Sequence, residues 1–349
     1  MPKLNKRQND ILDFVRQNDG VSNAQIKDYL AGVFGAVSRV TVARDLSYLV
    51  KNGLVAVKGK GRSVRYFDKE QNQLLRFFDP DIYFQKGPDE RSVVFLRFNS
   101  QIFKTIGKVF DQKEIAELKK FNAQYQKKIK NLPADIYQKE LERLTIELSW
   151  KSSRIEGNTY SLLDTEVLIK EKKEAPGHKK EEVIMILNHK KALDYIFQNR
   201  QKFKKINLRG IEDIHRLLVD GLNVDFGLRK RAVGVIGTRY KPLDNQYQIK
   251  EAMDEFLRFL NQAISPFTKA FTALLLISYL RPFSDGNKRT ARLLSNAILI
   301  AGNICPLSYR SVDEAEYKKA LIIFYEQNSA AYFKKLFKEQ FVFAVKNYF

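Results

Sequence analysis

Histidine, cysteine and tryptophan are scarce in this 349-residue chain, at three, one and one. A single cysteine, Cys305, cannot close an internal disulfide, so nothing points to an oxidising compartment, and its expected place is that of a small buried hydrophobe. His178, His189 and His215 lie apart from one another and from Cys305, so no metal-ligand spacing is present. Long apolar runs are also missing. Stretches such as Ala273 to Leu280 fall well short of the ~18 residues a membrane span requires, and the polar opening from Met1 to Asp10 leads into no apolar core of a secretory leader. The expectation is a cytoplasmic protein that does not enter a membrane. Acidic residues are the minority charge, 40 against 61 lysines and arginines, giving a formal charge of +21. That balance favours nucleic acid, anionic ligands or acidic partners. Apolar residues are plentiful at 44%, enough for packed cores. The length suits two or three domains at ~100–200 residues each.

Residues 1–70 read as a self-contained unit. Ile11, Leu12, Phe14 and Val15 form one apolar helix face. Ser22 is placed to cap a second helix carrying Ile26, Tyr29 and Leu30, and Ser38 a third carrying Val42, Leu46, Leu49 and Val50. That third helix stops at Asn52-Gly53. Two strand-like runs follow, Leu54 to Val57 and Ser63 to Phe67, around the basic glycine-rich tip Lys58-Gly59-Lys60-Gly61-Arg62. Three helices and a basic hairpin resemble a winged helix-turn-helix domain. The resemblance implies DNA contact through 38–65, with Arg39, Thr41 and Arg44 near base edges and Lys58, Lys60 and Arg62 along the backbone. This stretch holds seven lysines or arginines against one acid, Asp45. A winged domain used only for protein contacts is the other reading of the same residues.

Residues 71–104 read as a connector with some strand at Val93 to Leu96. The pattern is mostly helical from 105 onward, so the fold class is mainly α. One helix runs through Leu141, Leu144 and Leu148 to Gly157-Asn158, and others carry Val183 to Leu193 and Ile211 to Leu218. From Asp225 to Asn245, Gly227, Gly234, Gly237 and Pro242 alternate with β-type Val233, Val235 and Ile236, which suggests a short hairpin between helices. Helices resume at Ile249 to Leu260, Phe267 to Leu280 and Asn287 to Ile300.

The segment from Arg281 to Arg292 carries the chemistry. An apolar helix ends at Leu280, Pro282 and Phe283 turn the chain, and Asp285-Gly286-Asn287 frees backbone N–H groups just before a new helix. A helix N-terminus behind a glycine turn is an anion site. Lys288, Arg289 and Arg292 in its first turns oppose the helix dipole, by ~0.3–1 kcal/mol each, unless a polyanion neutralises them. Asp285 stands where a phosphate-bridging Mg2+ could be held.

Phe283, Asp285, Gly286, Asn287, Lys288, Arg289 and Arg292 resemble the signature of the Fic family, His-x-Phe-x-Asp/Glu-Gly-Asn-Gly/Lys-Arg-x-x-Arg, over a stretch of resemblance that covers roughly residues 105–340. The resemblance implies a Fic-type helical core with a β-hairpin flap behind the winged-helix domain, divided into an N-terminal helical region at 105–204 and a core at 205–349. It implies transfer of AMP from ATP to a hydroxyl of a target protein docked on the flap near 232–243. It also implies Asp285 on the metal, Gly286, Asn287 and Lys288 around the phosphates, Arg289 against them, and Arg292 at the terminal phosphate. Lys288 in place of a second glycine leaves the transferred group open. Ser152-Ser153-Arg154-Ile155-Glu156-Gly157-Asn158 resembles the family's inhibitory segment, with Ser152, Glu156 and Gly157 at its defining positions. By that resemblance Glu156 pairs with Arg292 and competes with the terminal phosphate for its guanidinium fork.

One position departs from the pattern. The family's base His is replaced by Arg281, which has no acceptor and stays protonated. Three readings follow: a relative that binds nucleotide without efficient transfer, one that uses another base or a substrate needing none, or an engineered replacement of a natural His. None of the three histidines lies near the loop in sequence. His215 reads as a packed helix residue and His178 as solvated. The functional expectation is a protein adenylyltransferase held off by Glu156, with ATP and Mg2+ as ligands. The alternative is a DNA-binding regulator whose degenerate core senses a ligand or dimerises, and a homodimer is allowed in either case.

Overall fold

The computed structural model describes residues 4–18, 20–70, 72–263 and 265–349. The chain divides into two compact units, Met1–Ser92 and Val93–Phe349.

The first unit holds α1 (Lys6–Gln17), α2 (Asn23–Phe34) and α3 (Arg39–Lys51), then β1 (Val55–Lys58) and β2 (Arg65–Asp68). Each helix starts on a side-chain cap: Asn5 accepts from Gln8 N, Ser22 from Gln25 N, and Ser38 from Thr41 N. Ile11, Leu12, Val15, Ile26, Leu30, Val42, Leu46 and Leu49 close into one core. Asp45 is buried among them and takes Arg7 at 2.5 Å and Gln8 at 3.1 Å. The two strands pair antiparallel, Val55 opposite Asp68 and Lys58 opposite Arg65. At the tip Gly59 has φ +93°, and a Cβ there would meet the Ser63 carbonyl oxygen at 2.4 Å, so only glycine fits.

The region read as a connector divides at Ser92, and much of it is packed structure. Leu74 is buried, Phe77 lies against the first unit's core, Arg16 donates to the Phe77 carbonyl, and Arg76 pairs with Asp68 at 2.9 Å. The strand expected at 93–96 does not form. Val94 and Phe95 instead donate to the Glu326 carbonyl at 3.0 and 2.9 Å. The β-type run bends at Val94 and Leu96 and finds the free carbonyl at a helix end.

The second unit is helical: α4 (Gln112–Lys130), α5 (Ala134–Ile155), α6 (Leu162–Glu171), α7 (Lys180–Gln198), α8 (Leu208–Val219), α9 (Gln246–Gln262), α10 (Pro266–Leu280), α11 (Asn287–Ala301), α12 (Glu314–Gln327) and α13 (Ala331–Asn347). α10 is apolar nearly all round and wholly buried from Ala270 to Leu280, which makes it the central helix. α11 packs along it, and α8 packs on α11 with Ile211, Ile214 and Leu218 inward. α5, α6 and α7 share a smaller core around Tyr160, Leu168 and Ile186.

The hairpin expected within 225–245 is absent. Among the described residues the only two-stranded sheet is β1–β2, and 232–243 is an extended loop with a turn at Ile236 to Thr238. Its one ladder contact is a parallel bridge between Lys241 and Arg97. Gly234, Gly237 and Pro242 interrupt the three β-type residues before a ladder can extend, and Ile236 is 98% exposed.

Candidate functional site

The loop between α10 and α11 is fixed from both ends. Arg281 ends α10 in the left-handed region, φ 50° and ψ 61°, with its N–H on the Ile277 carbonyl at 3.0 Å. Gly286 opens α11 at φ +76°, and a Cβ there would come within 3.1 Å of Val219 and 3.5 Å of His215. Asn287 clasps the loop in a two-way pair. Its Nδ2 donates to the Phe283 carbonyl at 2.8 Å and its Oδ1 accepts from Phe283 N at 2.9 Å. Asn287 therefore shapes the turn through its side chain.

His215 reaches the loop from α8. It is buried as a packed helix residue, but its ring stacks on Phe283 at 3.9 Å and 9°. Its Nε2 lies 3.0 Å from the Asp285 carbonyl, which can only accept, so Nε2 carries the proton. Burial pushes the imidazole down to about 4, against the upward pull of the Asp285 bond. Sequence reasoning missed this arrangement, because nothing local says which helix packs under the loop.

The neutral ring has a consequence for stability. The folded state holds His215 neutral down to about pH 4, whereas the unfolded chain takes up the proton near pH 6.5. Above that value His215 has no effect. Between the two values the unfolded state binds more protons, so stability falls as pH drops. The full effect is on the order of 3 kcal/mol at 1.36 kcal/mol per unit. Denaturant unfolding from pH 7 to 4.5 should show this decline, and His215→Gln should flatten it. His189, buried and lowered well below its ordinary value by burial and by Arg292 and Arg289, leaves a residual slope. Equal slopes in both proteins would refute the assignment.

The cations of the loop meet one carboxylate. Glu156 ends α5, with its Oε1 2.9 Å from Arg292 and its Oε2 2.7 Å from Lys288. Arg292 is fully buried, and Ser152 holds it twice more, by its hydroxyl and its carbonyl, each at 2.8 Å. Tyr317 presents its ring 5.5 Å from the same guanidinium. Burial raises the Glu156 carboxyl, but Arg292 and Lys288 outweigh it and hold it at about 2. Gly157, at φ +101°, turns the chain out of the helix directly after Glu156. Arg289 is buried and bonds weakly to the Leu218 carbonyl at 3.5 Å and to Asp285 at 3.4 Å. Asp285 is itself exposed. Arg281 Nε, Ser284 Oγ and Arg292 Nη1 are buried donors without a partner among the described residues.

The structure thus brings together Ser152, Glu156, Phe283, Asp285, Gly286, Asn287, Lys288, Arg289 and Arg292, with Arg281 at the head of the loop. Residues 205–299 match the Fic/DOC family. The chain carries a Fic domain. The "Protein adenylyltransferase Fic" of Nematostella vectensis is 31% identical over 176 residues, 49% of this chain and 41% of that protein. The "Protein adenylyltransferase fic-1" of Caenorhabditis elegans is 28% identical over 173 residues, 48% and 34% of the two chains. This chain therefore spans well under half the length of these curated relatives. Among solved structures, Fic-1 (aa134 - 508) from C. elegans aligns with TM-score 0.56 at 21% identity, covering 71% of this chain and 72% of that one. A Fic domain containing signaling protein from Bacteroides thetaiotaomicron aligns with TM-score 0.57 at 19% identity, covering 66% and 94%. These two likenesses show the fold.

Outside the Fic domain's loop, two histidines differ in setting from the sequence reading or extend it. His178 is not a solvated side chain: its Nδ1 lies 2.8 Å from the Thr159 hydroxyl and its ring 4.1 Å from that of Tyr160. His189, on α7, is wholly buried. Cys305 is buried, as its type suggested. Among the described residues no group of three or more His, Cys, Asp or Glu could enclose a metal, and no helix is long and apolar enough to cross a membrane. In the first unit, Arg39 and Arg44 are exposed on the first turns of α3, while the Thr41 hydroxyl bonds that of Ser38 at 2.9 Å. Lys58, Lys60 and Arg62 are exposed on the hairpin, with Lys58 lying 4.9 Å from the Phe67 ring.

Proposed function

We propose that the Fic-type unit is a protein adenylyltransferase module that binds ATP at 281–292, is closed by Glu156, and transfers weakly because Arg281 stands where the base is needed. One observation carries the closing step: a single carboxylate occupies both Arg292 and Lys288, the cations that a triphosphate would otherwise engage. The names of the curated relatives support transfer of AMP over a purely regulatory core.

The roles divide by position. The N–H groups that open α11 cradle the phosphates, and Gly286 lets them approach. Arg289 and Lys288 neutralise charge, Arg292 takes the terminal phosphate once Glu156 leaves, and Arg281 adds a further phosphate contact through its unpartnered Nε. Asp285 would hold Mg2+. It is exposed and weakly paired, and Mg2+ takes one or two carboxylates, completing its shell with water and phosphate. There the ion would offset the charge of the phosphates. The 232–243 loop, with Ile236 outward, receives the target protein. Titration with ATP-Mg2+, for the chain as it stands and for Glu156→Gly, tests the reading. Binding by neither form would overturn it.

The first unit supports a second, separate function as a winged helix-turn-helix that binds DNA. The observation favouring it is the outward set Arg39, Arg44, Lys58, Lys60 and Arg62 on one helix start and one hairpin. Affinity for a duplex should fall with salt at a log–log slope of about −0.9 per phosphate contact. Changing Lys60 and Arg62 to alanine should make that slope shallower by about 1 for each phosphate released. A flat slope in the unsubstituted protein would discard DNA binding in favour of a protein partner.

A further inference from the structure

Arg229 is 3% exposed, lies outside every motif in the chain, and makes no ion pair among the described residues. Each of its three guanidinium nitrogens donates to a backbone carbonyl. Nε reaches Arg281 at 2.7 Å, Nη1 reaches Arg231 at 2.7 Å, and Nη2 reaches Leu243. Its own N–H donates to the Pro282 carbonyl at 2.9 Å. Arg231 and Leu243 are the two ends of the extended loop that carries Ile236 at its tip. Arg281 and Pro282 are the first two residues of the phosphate loop.

We propose that Arg229 is a positioning residue that sets the 231–243 loop at a fixed distance from position 281, and so a docked target hydroxyl relative to the nucleotide. This rests on the reading of 232–243 as the target-docking segment. Arg229 touches neither substrate. The need for it comes from the missing hairpin. A ladder would hold both arms of the segment, but among the described residues 231–243 has a single bridge, at Lys241, and its buried side chains are Pro242 and Tyr240, whose hydroxyl donates to the Tyr279 carbonyl at 2.9 Å. These lie in the second arm. Arg229 ties the first arm, at Arg231, to the second, at Leu243, and both to the phosphate loop. Only a planar guanidinium offers donors on three separate nitrogens held in one plane, whereas the three N–H groups of a lysine ammonium diverge from a single nitrogen and can serve some of these carbonyls but not in the same fixed plane.

The test uses the full chain carrying Glu156→Gly and Arg281→His, with Arg229, Arg229→Lys or Arg229→Met. Self-labelling with radiolabelled ATP gives kcat and the KM for ATP, and hydrogen exchange reports on the amides of 231–243. Arg229→Met should speed exchange in that segment at least tenfold and lower kcat at least tenfold, leaving KM for ATP within twofold. Arg229→Lys should fall between. Unchanged exchange, or a KM that rises in step with the fall in kcat, overturns the proposal. If the background binds ATP but does not label itself, the transferase reading fails, and exchange at constant ATP affinity still decides whether Arg229 holds the segment.

Discussion

Glycine in place of Glu156 is expected to tighten ATP-Mg2+ binding roughly tenfold to a hundredfold and to lower the melting temperature of the nucleotide-free protein. Both effects have one origin. Each carboxylate oxygen is committed to a different cation, Arg292 at 2.9 Å and Lys288 at 2.7 Å. A phosphate must displace these bonds before it can form its own. Hydrogen bonds to charged groups contribute about 1.5–3 kcal/mol net, and about 1.4 kcal/mol is tenfold in affinity. Removing the competitor also strands Arg292, which is fully buried. Breaking a buried pair from one side costs about 3–5 kcal/mol. Ser152 retains its two bonds to Arg292, so the low end applies. Saturating ATP should restore much of the missing stability, because a ligand bound only by the folded state adds RT ln(1 + [L]/Kd).

The same pair sets a pH expectation. The folded-state carboxyl sits at about 2, below its ordinary 4.5. Its stabilisation is complete above pH 4.5 and is lost as pH falls toward 2. The ratio of ATP affinities between Glu156→Gly and the unsubstituted chain should therefore be constant from pH 5.5 to 8. Calorimetric titration reads it directly. Equal affinities in the two proteins would end the inhibitory role of Glu156.

The parts of the site that lie within one stretch of chain are legible in the sequence. Asp285-Gly286-Asn287 is a turn, the residues after it start a helix, and the positive φ of Gly286 is what such a turn demands. The Glu156 to Arg292 pair, 136 residues apart, is legible only because both ends fall in family patterns. His215 and Arg229 fall in none. Their roles come from packing: a ring laid on Phe283, and a guanidinium among three carbonyls whose positions no local pattern encodes. Asn287 shows a further role that packing adds. It reads as a ligand contact, and its amide also closes the loop on Phe283. The hairpin error has a plain cause as well. Three β-type residues indicate extended backbone but not a partner, and strand pairing is decided by what lies alongside.

Histidine in place of Arg281 should raise the transfer rate by roughly 10²–10⁴-fold, the usual worth of a positioned general base. The backbone at this position is held independently of the side chain. Its N–H bonds the Ile277 carbonyl and its own carbonyl accepts from Arg229, so an imidazole would start from the same Cα placement. Histidine also tolerates the left-handed conformation at φ 50° at least as well as arginine. No hydrogen bond of the Arg281 Nε is sacrificed, since that atom has no partner among the described residues. The neighbouring guanidinium of Arg229 would push the new imidazole's pKa down and keep it neutral, which a base requires. The exchange has a cost in binding. A phosphate contact from Arg281 would disappear, so KM for ATP should rise by up to about tenfold while kcat climbs. Arg281→Gln separates the two effects, weakening ATP binding without supplying a base. All three proteins should carry Glu156→Gly, so that closure of the site does not mask the chemistry. If the arginine form labels itself as fast as the histidine form, position 281 does not limit transfer and the reaction draws its base from elsewhere.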